Sequence, residues 1–301
     1  MTQHFVDLHI HTTASDGTFT PVQVVHMALE KGLSAIAITD HDSVDGISAA
    51  LEAGRRYGFE VVPGIEIGIL DEPERDLIDV DILGYFIDYT NPVLRTTLKR
   101  IKGSRWNWLV RQILALEMEL KIQIPLEEVL AAMGPSPTAR RPHIYQTIQK
   151  LYPGRIERAE FYHLTDHGGK LYVEKEYEIG LEECIRLIRQ ARGKAALAHP
   201  EDYPKVADKG RLLATCVDAG ISAVEVYYPY CYNRLKCTLG QQDQIFRRYK
   251  VLARQYGLAE VGGSDFHGAT KPEVELGTPG VPYACLEHLK THLDIRTGPL
   301  P

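Results

Sequence analysis

The chain has 301 residues, 44% of them hydrophobic and 25% charged, with a formal net charge of −6; this is the balance of a globular protein able to bury a sizeable core, not of a disordered or fibrous one. Five cysteines (Cys184, Cys216, Cys231, Cys237, Cys285) form no C-x-x-C pair, so they fit neither a disulfide framework nor a thiolate zinc site and read as buried thiols. No run is long enough to span a bilayer and strand-like residues begin at Phe5 with no leader before them, so we expect a cytoplasmic protein without membrane partners.

In chain order, short apolar runs at 5–10, 34–39, 60–64, 79–83, 194–198, 222–227 and 259–263 read as strands, and helical periodicity marks 21–31, 47–57 and 181–192 between them. Strands alternating with helices imply βαβ units and a parallel sheet. Seven strands predict an α/β fold built as a distorted barrel, not the regular eight-stranded one. An open doubly wound sheet is the structural alternative, but its ligands would gather at one switch point.

The stretch 92–177 differs in composition. Its signals are helical, broken by Gly134-Pro135-Ser136-Pro137 and Pro153-Gly154, and we read it as an inserted, mainly helical subdomain dividing the barrel into 1–91 and 178–301. Between Arg95 and Lys175, 14 Lys/Arg stand against 8 Asp/Glu, a net +6, while the rest of the chain, 20 against 32, is −12. A basic insertion in an acidic body suits an anionic substrate. The overall negative charge argues against sequence-blind binding of long nucleic acid, which needs many Lys/Arg contacts to phosphate. Trp106 and Trp108, with Arg105 and Arg111, read as anchors of the insertion to the barrel in preference to base-stacking groups.

Histidines and carboxylates recur where the apolar runs end: His9 and His11 with Asp16, then His41, Glu66, His199, and Asp265 with His267. Donors scattered so widely meet only if the fold brings one end of the strands together, as a parallel barrel does. His9 and His11, two apart on a strand, project from the same face. A lone His-x-His is a weak signal, and the further clusters give it weight. All donors are nitrogen or oxygen, which suits Zn, Mn or Fe. Asp7, Asp40 and Asp42 flank these residues and read as partners that orient the imidazoles by hydrogen bonds. Tyr227, Tyr228 and Tyr230, at a strand's C-terminal end, are expected to reach the pocket.

Asp7-Leu8-His9-Ile10-His11-Thr12, Thr39-Asp40-His41-Asp42, Gly64-Ile65-Glu66-Ile67, Ala198-His199-Pro200 and Gly263-Ser264-Asp265-Phe266-His267-Gly268 together resemble, in order, the motifs of the PHP (polymerase and histidinol phosphatase) family. Arg141-Pro142-His143-Ile144 and Glu225-Val226-Tyr227-Tyr228-Pro229 resemble the branch of that family that hydrolyses nucleoside 3',5'-bisphosphates or trims short RNA from its 5' end. The resemblance implies a distorted (β/α)7 barrel of PHP type and two or three divalent metal ions. It places His9, His11, Glu66 and Asp265 around one ion and Asp16, His41 and His267 on a second, with Glu66 bridging. His199 falls to a third site, where Asp81 stands in place of the family's usual histidine. The family also often has a histidine after the Tyr-Pro pair, where this chain has Tyr230-Cys231-Tyr232-Asn233.

Paired ions activate water and neutralise a phosphoryl group in flight, so the expected attacking group is a metal-bound hydroxide held by His9, His11, Asp16 and Glu66. Ser15 and Ser264 lack the base and orienter of a triad. Arg140, Arg141 and His143 follow the Pro-rich break, where a helix can start at Pro142; Arg141 can grip phosphate by two parallel hydrogen bonds, with His143 donating a third. The expectation is a phosphoesterase acting on a small phosphorylated substrate, a 3',5'-bisphosphate nucleotide or a short RNA end. The alternatives are a histidinol-phosphate phosphatase and a non-catalytic metal-binding PHP module.

Overall fold

The computed structural model describes residues 4–134 and 141–292. Arg140, singled out above, lies outside them. The chain divides into two compact units, one running up to Thr96 and resuming at Ile179, the other Thr97–Glu178.

In the first unit, β1 (Phe5–Asp7), α1 (Pro21–Glu30), β2 (Ala35–Ile38), α2 (Ile47–Tyr57), β3 (Glu60–Gly68) and β4 (Asp81–Tyr85) precede the second unit. The long helix α3 (Pro92–Leu120) leads into that unit, followed there by α4 (Leu126–Met133), α5 (Arg141–Leu151) and α6 (Arg158–Thr165). The first unit then resumes with α7 (Leu181–Gln190), β5 (Lys194–Leu197), α8 (Lys209–Ala219), β6 (Ala223–Tyr227), α9 (Leu239–Tyr256), β7 (Ala259–Gly262), β8 (Val281–Pro282) and α10 (Tyr283–Thr291). The local chemistry explains many of these boundaries. Thr20 and Gln23 form a capping box ahead of α1, and Thr238 with Gln241 does the same for α9. Gly58 and Gly257 end α2 and α9 in the left-handed conformation.

The strands form one sheet in the order β7-β6-β5-β4-β3-β2-β1-β8, curled into a nearly closed barrel with helices around it. Strand β2, Ala-Ile-Ala-Ile, is buried throughout, as a parallel strand covered on both faces must be. Beyond β1, Leu8 N–H donates to Gly262 O (3.1 Å), Asp265 N–H to His9 O (2.8 Å) and His11 N–H to Phe266 O (3.0 Å), joining the chain after β1 to β7 and the loop that follows it. This approach requires Gly263: a Cβ there would lie 2.2 Å from His9 N and 2.5 Å from His9 Cβ.

Two features depart from the sequence reading. The two-residue β8 adds an eighth strand, antiparallel to β1, and β4 runs antiparallel to both β3 and β5. The segment between β3 and β4 holds only a short 3-10 turn, Pro73–Arg75; without a crossover helix the chain returns antiparallel instead of completing a βαβ unit. The reversal brings the start of β4, not its end, level with Gly68 at the end of β3. Asp81 therefore precedes its apolar run, whereas the other clusters follow theirs.

The helical unit has its own core, in which Trp108, Leu109, Ile113, Leu116, Ile144, Ile148 and Phe161 pack together. Trp108, read above as an anchor, packs in that core, and Trp106 is exposed. Cys184, Cys216 and Cys285 are buried thiols as expected, but Cys231 and Cys237 are only half-buried, with their Sγ atoms 3.8 Å apart. No helix among the described residues is long and apolar enough to cross a membrane.

Candidate metal centre

Glu66, carried by β3 and 1% exposed, is the hub of the site. Its Oε2 lies 3.2 Å from His9 Nε2, 3.1 Å from His11 Nε2 and 3.2 Å from His41 Nδ1, and its Oε1 lies 3.1 Å from His199 Nε2. Asp265 Oδ1 is 3.1 Å from His11 Nε2 and 3.6 Å from His9 Nε2. On the other side of His11, Asp16 Oδ1 stands 3.6 Å from His11 Nδ1 and 3.2 Å from His267 Nε2, and Asp16 Oδ2 3.9 Å from His41 Nε2. These atoms make three groups whose members lie within 4.8 Å of one another: His9, His11, Glu66 and Asp265; His11, Asp16, His41 and His267; and His41, Glu66 and Asp81.

The geometry fits divalent ions. Ligands about 2.1 Å from a tetrahedral centre stand about 3.4 Å apart, and most of the separations above are close to that. His11 Nε2 and Asp16 Oδ1 are buried yet make no well-directed hydrogen bond, the state of lone pairs aimed at a shared point and not at each other. Asp16, Glu66, Asp81 and Asp265 also bring four negative charges together, a concentration that burial penalises unless cations offset it.

The protonation balance points the same way. Burial alone would raise Glu66, but the imidazoles of His41 and His9 hold it well below the usual carboxylate range. Asp16 and Asp265 are likewise held low against burial, Asp16 by His41 and His267 and Asp265 by Lys271 and His267. Burial opposes the charged form of His11, yet Asp265 and Glu66 raise its pKa to about 9. His267 is pushed down by burial and by His11 and Lys271.

Every residue of the expected first two metal sites lies in these groups. Asp81, which enters from the starting end of β4, gathers with His41 and Glu66, and its carbonyl accepts from Ala198 N (3.2 Å) next to His199. Arg141 and His143 lie on α5 in the helical unit, where Arg141 pairs with Asp166 and Thr165 O.

The flanking aspartates Asp7 and Asp40 make contacts with neighbouring loops. Asp40 accepts from Thr12 N (2.7 Å), Thr12 Oγ1 (2.8 Å) and Ser15 Oγ (2.5 Å), and so fixes the turn that presents Asp16. Asp7 accepts from Ser264 N (2.9 Å), Ser264 Oγ (2.6 Å) and Gly277 N (2.7 Å), tying β1 to the loop after β7. Asp42, with φ 47°, donates its N–H to Glu66 O (2.8 Å). The Asp7 and Asp40 contacts go to backbone N–H groups and to the hydroxyls of Thr12, Ser15 and Ser264, of which Ser15 Oγ lies 3.4 Å from His11 Nδ1.

The imidazole partner the sequence reading missed is Glu225. It is fully buried in β6, and its Oε1 lies 2.9 Å from His9 Nδ1 while Oε2 accepts from His199 N (2.7 Å). The available signal was a lone carboxylate inside the apolar strand Ala-Val-Glu-Val-Tyr. Of the three tyrosines, Tyr228 alone places its hydroxyl on these carboxylates, donating to Asp265 Oδ2 (2.9 Å); Tyr227 turns to Glu260, and Tyr230 packs against the Tyr228 ring.

Residues 7–257 match the family model of the PHP domain. The chain belongs to the PHP family. It is 32% identical over 275 residues to the Escherichia coli 5'-3' exoribonuclease Rnm, covering 90% of this chain and 87% of the relative. It is 30% identical to an Eggerthella lenta phosphoribosyl 1,2-cyclic phosphate 1,2-diphosphodiesterase, covering 87% and 94%. The Chromobacterium violaceum 3',5'-nucleoside bisphosphate phosphatase is 26% identical, with 93% of each chain covered. Among solved structures, a Bifidobacterium adolescentis protein provisionally described as a metal-dependent phosphoesterase superimposes with a TM-score of 0.73 at 25% identity over 98% of both chains. This PHP protein is accordingly a metal-dependent phosphoric ester hydrolase, which sets aside the non-catalytic module.

Proposed function

We propose that this PHP protein hydrolyses a phosphate monoester of a ribonucleotide, either a 3',5'-bisphosphate nucleotide or the end of a short RNA. The observation that carries the reading is the pair of abutting donor groups that share His11. In the proposal His9, His11, Glu66 and Asp265 hold one divalent ion, Asp16, His41 and His267 a second, and Asp81 and His199, beside Glu66 and His41, a further one, the ions being Mn, Fe or Zn. Such ions, when bound, supply an activated water and neutralise charge on the phosphoryl group.

The chain's own residues prepare that chemistry. The contact between His9 Nδ1 and Glu225 leaves Nε2 facing Glu66, and the contact between His267 Nδ1 and Asp265 O (2.8 Å) leaves its Nε2 facing Asp16. Ser15 and Ser264 donate their hydroxyls to Asp40 and Asp7, so neither serves as nucleophile. Arg141 and His143 are proposed as phosphate contacts, in keeping with the +6 charge of their segment.

A second reading, a cyclic phosphodiesterase, is favoured by the near full-length match to the Eggerthella lenta relative. Chelator-stripped protein reloaded with Mn2+ should consume adenosine 3',5'-bisphosphate faster than phosphoribosyl 1,2-cyclic phosphate or histidinol phosphate, with substrates and products followed by chromatography. Preference for the cyclic phosphate would replace the proposal with the second reading, and preference for histidinol phosphate with a histidinol-phosphate phosphatase.

A further inference from the structure

The two oxygens of Asp265 have separate surroundings. Oδ1 faces His11 Nε2 (3.1 Å), His267 Nδ1 (3.4 Å) and His9 Nε2 (3.6 Å). Oδ2 takes Lys271 Nζ at 2.6 Å and the Tyr228 hydroxyl at 2.9 Å. The residue is held at every other point as well: its N–H donates to His9 O (2.8 Å), its carbonyl accepts from His267 Nδ1, and it adopts φ 54°, a left-handed conformation that a non-glycine residue keeps only when its surroundings demand it. Tyr228 is itself buried, with its hydroxyl also 3.5 Å from Asp202 Oδ2. Lys271 reaches in from the turn after His267, with its side chain 33% exposed.

We propose that Lys271, assisted by Tyr228, is a positioning residue that restricts Asp265 to a single oxygen toward the ion and weakens the hold on that ion. This rests on the reading of Asp265 as an ion ligand. Two donors already occupy Oδ2, so turning the carboxylate to offer both oxygens would break a charge-assisted hydrogen bond and a neutral one. The ammonium charge also lies one carboxylate away from where a dication would sit and repels it. Lys271 therefore favours an ion that stays electron-poor and exchangeable over one bound as tightly as the unshielded carboxylates of Glu66 and Asp265 would allow.

The sign of the effect separates this role from a merely structural one. A side chain that only supports the fold weakens ion binding when removed; removing Lys271 should strengthen it. The test is calorimetric titration of chelator-stripped protein with Mn2+, together with visible spectra of the Co2+-loaded form. Lys271→Met should bind Mn2+ on the order of tenfold more tightly, the effect of one unit charge a few ångströms from a dication even with the screening of bulk water. Its cobalt bands should weaken as Oδ2 joins the coordination sphere. Lys271→Arg, which keeps the charge, should stay close to wild type. Asp265→Asn tests the underlying reading: unchanged Mn2+ affinity there overturns the ligand assignment and this inference with it. With that control intact, equal or weaker binding by Lys271→Met overturns the role of Lys271 alone.

Discussion

Glu225→Gln is the perturbation with the most direct structural consequence. The wild-type carboxylate serves two N–H groups in a fully buried place, His9 Nδ1 at 2.9 Å and His199 N at 2.7 Å. Glutamine has nearly the same shape but only one accepting oxygen, so one of these N–H groups must face an amide N–H2. The loss is a hydrogen bond to a charged group with its donor left buried, about 1.5–3 kcal/mol. If His9 turns over to compensate, its proton moves toward the centre and the ring ceases to be a ligand. Loss of such an outer partner lowers metal affinity by roughly 10–100-fold, the same range. Calorimetric titration of chelator-stripped protein with Mn2+ measures the affinity, and circular dichroism confirms that the fold persists. Mn2+ affinity within twofold of wild type, in a folded variant, would refute the assignment of Glu225 as the group that orients His9.

Other expectations follow from the same geometry. In the metal-free protein His11 keeps its proton up to about pH 9, whereas an unfolded histidine loses it near 6.5. The stabilisation is complete below about 6.5 and fades as pH rises through about 9, so the melting temperature of metal-free protein should fall over that interval. Saturating Mn2+ should remove most of the fall, and a flat profile without metal would contradict it. Gly263→Ala places a methyl group 2.2 Å from His9 N and should cost more than ~3 kcal/mol or prevent folding. Gly103→Ala, inside α3 with open space around it, should instead stabilise by about 0.5–1 kcal/mol. Equal melting temperatures for the two variants would contradict both statements.

The fold class was legible because short apolar strands alternate with capped helices, and because the His and acid clusters sit at the ends of those strands. The direction of β4 was not: a five-residue strand reads the same both ways, and only the absence of a helix between it and β3 reveals the reversal. That same reversal brings Asp81 into the site from the start of its strand, where it meets His41 and Glu66 while its carbonyl pairs with Ala198 N beside His199. Proximity in sequence also left unread the partners of Asp7 and Asp40, which flank ligands and place their hydrogen bonds on Ser264, Gly277, Thr12 and Ser15. Glu225 is 216 positions away from the histidine it touches, and Lys271 lies beyond the last motif; contacts of that kind become visible only when the barrel closes. Trp108 shows the limit of composition, since an aromatic beside arginines read as an anchor of the insertion to the barrel and the side chain packs in the core of the helical unit.

The central claim is that donors from both ends of the chain hold adjacent divalent ions around His11 and Glu66. An anomalous-difference map from Mn2+-soaked crystals tests it most directly. Two peaks about 3.5–4 Å apart, one among His9, His11, Glu66 and Asp265 and the other among Asp16, His41 and His267, are the predicted result. A map with no peak at these residues, or with ions bound only elsewhere on the chain, would contradict it.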